Sequence, residues 1–366
     1  MQKFTLSGVD ARLIKRYETM IIEACNSKEK LSAGAKAIPS KTSSFASTQA
    51  TWRFYDNDEV SLFALQSPLL AAAQYGVDQH CQRYALSIHD WSRLAFKHKN
   101  KSDTYQMSHD TDIGYDLQSS LLINDEDGTP IAPAAMRLVS ANGSYATYYP
   151  DDHSVPVKSH LDELCDAVES IEQQSFSKPL VHIVDRESDS ALHMRHLAKN
   201  GRQFIFRVKA GNSLTFQGMS MKASAIGDQL TFSPSRIISY QGKQHRQEVA
   251  ETIVTLTRPS TSNSTVMDII NNPVQLRLTV ARVLSLDGTQ VEAQWYLLSN
   301  LLDSEVDAAT IALWYYWRWQ IESFFKLLKS AGHHLESWQQ ESDLAIFKRL
   351  LVTSMACVTV WQIAAD

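Results

Sequence analysis

No apolar run in the 366 residues reaches the roughly 18 to 20 side chains that cross a bilayer. Met1 to Val9 also lacks the charged start and long apolar middle of a signal peptide, so a soluble, intracellular chain is the expectation. Cysteine is scarce. Cys25, Cys81, Cys165 and Cys357 lie far apart, which argues against a disulfide framework or a zinc site and fits reduced thiols in a cytosolic compartment. The 13 glycines form no phosphate-cradling loop, so ATP dependence is not expected. His333 and His334 are adjacent, which is poor spacing for a shared metal. There is no internal repeat, and no excess of basic charge. With 44% hydrophobic and 20% charged residues, the composition instead excludes disorder and supplies a sizeable core. The length exceeds one typical domain, so two domains or one domain with a large insertion is expected.

A net charge of -5 gives no overall attraction to nucleic acid, but the sign is unevenly spread. Lys3 to Lys41 holds eight Lys and Arg against four acids, and Arg93, Lys97, Lys99 and Lys101 form a second basic run. Taken alone, each run is read equally well as a solvated surface.

Leu13, Tyr17, Met20, Ile21 and Ala24 fall at helical spacing, as do residues within Val60 to Tyr75, so residues 1–78 read as a helical domain. Strands follow at Tyr84 to His89, Leu117 to Ile123 and Ala134 to Val139, the last two joined through an Asp127-Gly128 turn. A helix with Leu161, Leu164, Cys165, Val168 and Ile171 on one face leads to the apolar strand Leu180 to Val184, then to a helix over Ser190 to Asn200 and a strand over Gln203 to Val208. Three strands able to pair as a meander, followed by strands joined through crossover helices, is the order of an RNase H-like core. The fold class expected is α/β, with that core as the catalytic domain over 79–366. A β-rich insertion at about 211–301 includes a Ser/Thr-rich loop from Arg258 to Thr265, and one long helix from about Asp307 to Lys329 precedes a last apolar helix from Leu344 to Ile363.

Three carboxylates stand at the ends or faces of these elements: Asp90 at the end of the first strand, Asp185 at the end of Leu180 to Val184, and Glu322 in the late helix. In an RNase H-like sheet the ends of the first and fourth strands are neighbours, and three clustered carboxylates need a cation between them. Oxygen-only ligands of that charge suit Mg²⁺ or Mn²⁺, and two ions about 3.5 to 4 Å apart would serve in-line phosphoryl transfer. In the late helix Tyr315, Arg318, Glu322 and Lys329 are spaced by three, four and seven, which on one continuous helix makes a stripe roughly 60° wide. Such a face sets a metal ligand among phosphate binders. An exposed helix carrying an ordinary Arg-Glu pair accounts for the spacing equally well.

The segments Ser87-Ile88-His89-Asp90-Trp91-Ser92 and Val184-Asp185-Arg186-Glu187-Ser188-Asp189, with Tyr315-x2-Arg318-x3-Glu322-x6-Lys329, resemble the motifs of the DDE transposases of the insertion sequence 4 family, whose best-known member is the transposon Tn5 transposase. Ala50-Thr51-Trp52-Arg53-Phe54 is similar to that family's helical end-binding domain. His89 and Trp91 depart from the best-known member's neighbours of the first aspartate.

The resemblance implies a metal-dependent DNA nuclease and strand transferase acting by cut-and-paste transposition, through hydrolysis, hairpin formation and strand transfer. It implies Asp90, Asp185 and Glu322 as catalytic residues holding two Mg²⁺ or Mn²⁺ ions, and double-stranded DNA, both transposon end and target, as partner. Tyr315, Arg318, Lys329, Arg207, Lys209 and Arg53 are implied as DNA contacts, and Trp295 as a stacking surface for a flipped base. Without the family, Trp295 reads as core of the insertion. The family acts as a homodimer on DNA and carries a further C-terminal pairing domain, whereas this sequence stops at Asp366. The expectation is therefore weak pairing and a cytoplasmic, DNA-associated protein, with a truncated end-binding inhibitor as the alternative function.

Overall fold

The structure, a computed structural model, describes residues 3–26, 41–96, 102–106, 109–258 and 272–365. Lys97, Lys99 and Lys101, the part of the first basic run at 27–40, and the Ser/Thr-rich loop from 259 onward lie outside the described residues. The chain forms two compact units. The first comprises Met1–Val157, Glu169–Pro179 and Trp319–Asp366, and the second Lys158–Val168 and Leu180–Arg318.

The first unit opens with helices α1 (Ala11–Asn26), α2 (Lys41–Tyr55) and α3 (Leu62–His80). Tyr17, Met20 and Ile21 recur at helical spacing on α1 and are its buried stripe. Ser61 caps α3, its hydroxyl accepting the Ala64 N–H at 3.0 Å. Five strands follow: β1 (Ala85–Ala95), β2 (Tyr105–Gln106), β3 (Ile113–Asn124), β4 (Pro130–Ser140) and β5 (Gly143–Ala146). They pair antiparallel in the order β5-β4-β3-β1, with β2 on β3. The β3–β4 turn is built around Asn124, whose Oδ1 accepts from the N–H groups of Glu126, Asp127 and Gly128, the last at φ 76°. α3 packs closely on β4, because a Cβ on Gly76 would fall 2.3 Å from Ile131 Cγ2.

Helix α4 (His160–Glu172) begins in the second unit and buries Leu164, Cys165, Val168 and Ile171. There β6 (Leu180–Val184), buried throughout, passes through α5 (Ala191–Lys199) to β7 (Gln203–Val208), which pairs parallel with it. Next come β8 (Ser213–Phe216), β9 (Met219–Lys222), α6 (Ala223–Gly227), β10 (Ser233–Tyr240), β11 (Lys243–Leu256), β12 (Val274–Leu284) and β13 (Val291–Ser299). β13 returns antiparallel to β7, giving the order β6-β7-β13-β12-β11, with β8 and β10 on β11. Helix α7 (Ala308–Tyr316) is capped by Asp307, which accepts the Thr310 N–H at 2.7 Å.

The single late helix expected from the sequence is broken. α7 ends at Tyr316, and Arg318 N–H closes a tight turn on Tyr315 O at 3.1 Å. α8 (Trp319–Lys326) then starts afresh in the first unit and runs into a π-helical turn over Leu327–Ala331. Apolar periodicity continues through the break because Trp314, Tyr315, Ile321, Phe324 and Phe325 are all buried, so periodicity alone cannot reveal it.

Helix α9 (Asp343–Ala365) closes the first unit, packing against α1, α3 and β4. It also corrects the sequence expectation about apolar runs. By length and composition Asp343–Ala364 could cross a membrane, but 78% of its most apolar window is buried inside the fold, as in a core helix. All four cysteines are free thiols.

Candidate active site

In the second unit, β6 delivers Asp185 at the point where its burial ends. The carboxylate caps a short 3₁₀ turn, Oδ1 accepting the Arg186 N–H at 2.6 Å. The Tyr315 hydroxyl, from the end of α7, donates to the same oxygen at 2.8 Å. Arg318 Nη2 lies 3.3 Å from Oδ2, and Arg207 Nη1, from β7, lies 3.5 Å from Oδ1 and donates to the Tyr315 hydroxyl at 3.4 Å. Burial pushes the Asp185 carboxyl up, but Arg318 above all, then the Arg186 N–H, Tyr315 and Arg207, outweigh it and hold the group below the usual carboxylate range. Burial, and then the Asp185 charge, push the Tyr315 phenol up, so it stays a donor. Trp295, 4% exposed, meets the Tyr315 ring edge-to-face at 5.4 Å and backs it from β13. Lys209 is exposed just beyond β7.

In the first unit, Asp90 stands within β1 rather than at its end. Hydrogen bonding to β3 continues from the Asp90–Ser119 pair to Ala95–Gly114. What stops at Asp90 is burial: Ala85 to His89 are enclosed, and Asp90 to Arg93 are partly or fully open. The sequence therefore marks the end of enclosure and not the end of the strand. Asp90 Oδ1 accepts the Trp91 N–H at 2.9 Å. Next to it, buried His89 bonds the Ser120 hydroxyl at 2.8 Å and the Ser87 hydroxyl at 3.2 Å.

α8 packs against β1 and carries half-buried Glu322 in its first turn. Lys329, in the π-helical turn, donates to Arg93 O, lies 3.4 Å from Ser92 Oγ and forms an ion pair with Glu336 at 3.4 Å. Glu336 in turn accepts the Ala95 N–H at 3.1 Å, a role with no signal in the sequence. Arg53 is exposed in the last turn of α2.

The structure thus brings Asp185, Tyr315, Arg318, Arg207 and Trp295 together in one unit, and sets Lys329 on the residues that follow Asp90 in the other. Among the described residues, no group of three or more His, Cys, Asp or Glu side chains is placed to hold a metal ion.

Residues 155–358 match the family model of the transposase DDE domain. The chain belongs to that family. The transposase DDE domain so defined contains Asp185, Arg207, Lys209, Trp295, Tyr315, Arg318, Glu322 and Lys329, while Arg53 and Asp90 precede it. Among solved structures, the chain is similar to the piggyBac transposase synaptic complex with hairpin DNA, determined by cryo-EM. The identity is 9% and the TM-score 0.42, over 100% of this chain and 69% of that one. No curated protein matches.

Transposase DDE domains generally use divalent metal ions. The donors here suit one in kind. Asp185 is held ionised, and while its Oδ1 accepts from Arg186 and Tyr315, its Oδ2 is approached, among the described residues, by Arg318 alone, which leaves that oxygen with lone-pair capacity for a hard cation.

Proposed function

We propose that this chain is a DNA transposase of the insertion sequence 4 type, similar to the transposon Tn5 transposase. It excises its element by hydrolysis, hairpin formation and hairpin opening, and then joins it to target DNA. The observation that carries this reading is where the Tyr-Arg-Glu-Lys signature goes. Tyr315 and Arg318 bond the second acidic motif at Asp185, and Lys329 bonds Ser92 of the first and the carbonyl of Arg93 just after it. Residues far apart in sequence are used together, as the signature requires.

Asp90, Asp185 and Glu322 are the three acidic residues, and together they would hold two Mg²⁺ or Mn²⁺ ions. Such ions, when bound, activate the attacking oxygen and offset charge on the leaving one. Arg318 and Tyr315 keep Asp185 ionised and fixed in orientation. Arg207, Lys209 and Lys329 offer positive charge to the DNA backbone, with Arg53 on the helical N-terminal domain of 1–78. Trp295 stacks on a flipped base, which requires its enclosed face to open. Support for an RNase H-like core comes from the antiparallel β1-β3-β4 set of one unit and the parallel β6-β7 pair of the other, with 211–301 as its β-rich insertion. The insertion sequence 4 family acts on DNA as a homodimer.

The test is incubation with Mg²⁺ and DNA bearing the element's own ends. Terminal cleavage by the wild type, abolished in Glu322→Gln while end binding persists, supports the reading. Cleavage by Glu322→Gln near the wild-type rate removes Glu322 from the site.

A further inference from the structure

Asp189 follows Asp185 by four residues, too closely to share one ion with it and Glu187. The structure gives this carboxylate other work. Its side chain is 1% exposed, and both oxygens are engaged: Oδ1 by the Arg258 guanidinium, Oδ2 by the Lys209 N–H at 2.8 Å and by the side-chain amide of Asn212. Lys209 and Asn212 are the first and last residues of the turn by which the chain leaves β7, closed by Asn212 N–H donating to Lys209 O at 3.0 Å. One buried carboxylate therefore holds both ends of a four-residue turn. The turn is tied down on its far side as well, where Ala223 and Ser224 N–H groups donate to the carbonyls of Asn212 and Ala210, each at 2.9 Å. Its outer side is open. A Cβ on Gly211 would meet no atom within 4 Å, and Lys209, Ala210 and Gly211 are all exposed.

We infer that Asp189 is a positioning residue: it presents the Lys209–Asn212 turn, with the Lys209 ammonium, to the phosphate backbone of the transposon end. The inference rests on the transposase reading above and on Lys209 as a DNA contact. A general structural role is separable from this one. The main chain at Arg258 is anchored by another residue, because buried Arg195 donates to the carbonyls of Leu256, Arg258 and Asn272 at 3.2, 2.7 and 2.7 Å. Likewise Val208 stays paired with Tyr296 of β13 whatever stands at 189. Loss of Asp189 therefore frees the Lys209 N–H and the Asn212 amide, loosening the turn on that side, while the strands on either side keep their own fastenings.

The experiment is the salt dependence of binding to a labelled duplex of the element's terminal sequence, read from the DNA that flanks the coding region. Removing one side chain that neutralises a phosphate flattens the slope of log K against log salt by about 0.9. Lys209→Ala is expected to lower the slope by that amount. Asp189→Ala is expected to match it, and the double variant to fall no further than either single one. An Asp189→Ala protein with the full wild-type slope, beside a flattened Lys209→Ala, overturns the positioning role and leaves the transposase reading intact. Additive effects in the double variant also overturn it, since Asp189 would then act through other groups. An unchanged slope in Lys209→Ala removes Lys209 from the DNA and takes the inference with it, whereas terminal cleavage still tests the enzyme separately. Should Asp189→Ala fail to fold, Asp189→Leu fills a similar volume with no acceptor for the Lys209 N–H, and a full slope in that variant overturns the inference equally.

Discussion

Arg318 Nη2 lies 3.3 Å from Asp185 Oδ2, and the arginine, with a side chain 5% exposed against 28% for the aspartate, is the more deeply enclosed of the two. The cation therefore depends on the pair as much as the carboxylate does, because an enclosed guanidinium has little water to fall back on. Arg318→Ala should cost about 2 kcal/mol of stability. The sign with pH follows from the carboxyl being held below its ordinary value. Its contribution is present above the unfolded value of about 4 and is lost as pH falls through the lower folded value. The stability gap between wild type and Arg318→Ala should thus narrow in acid, as urea melts from neutral pH downward would record. A gap constant with pH would show that Arg318 acts by packing alone.

Lys329 and Glu336 should behave as one device. Each bonds the stretch of β1 just past Asp90, and they pair with each other at 3.4 Å. Lys329→Ala and Glu336→Ala are each expected to slow strand cleavage by about tenfold, equivalent to roughly 1.4 kcal/mol. The double variant should be little slower than either, with a coupling of about 1 kcal/mol. Additive rate effects in single-turnover cleavage would separate the two.

For Trp295, enclosure and base stacking make different demands. Removing so large a buried ring should cost about 3 to 5 kcal/mol in Trp295→Ala, and less in Trp295→Phe. If a flipped base uses the ring, hairpin formation should fall further than first-strand nicking in Trp295→Ala and largely return in Trp295→Phe. Equal reductions in both steps would leave it only as the support of Tyr315.

His333 gives a stability signal remote from chemistry. Burial first, then Arg349 and His334, push its imidazole down to about 4, with Nε2 3.6 Å from Cys357 Sγ. A folded value below the unfolded one of about 6.5 means that the neutral form stabilises the fold, and that this contribution is lost as pH falls below 6.5. The loss should approach about 3 kcal/mol near pH 4, at 1.36 kcal/mol per pH unit. His333→Phe should remove that part of the slope in pH-dependent denaturation, and an identical slope would assign it to other groups.

Strands enclosed on both faces are legible because they appear as unbroken apolar runs, and Leu180 to Val184 matches β6 residue for residue. α1 is legible through the stripe of Tyr17, Met20 and Ile21. β1 is legible only as far as its enclosure, since hydrogen bonds to β3 do not alter the residue types beyond Asp90. The break after Tyr316 is hidden for the opposite reason: apolar residues are needed on both sides of it, and the turn shares its place with a side chain drawn toward Asp185. Of the candidate site, spacing marks Tyr315, Arg318 and Lys329, but the partners that tie them to Asp185 and β1 are 130, 133 and 236 or more positions away, and no local pattern encodes a pairing of that range. Glu336 and the grip of Asp189 on the turn after β7 share that limit.

The place of α9 in the chain bears on synthesis. It packs on α1, α3 and β4, so the first unit needs residues from both ends of the sequence. While the ribosome is still making residues short of 343, the helices proposed to hold transposon ends lack the apolar cover that α9 gives them. A product released early, from a broken message or a stalled ribosome, would lack a finished DNA-holding surface.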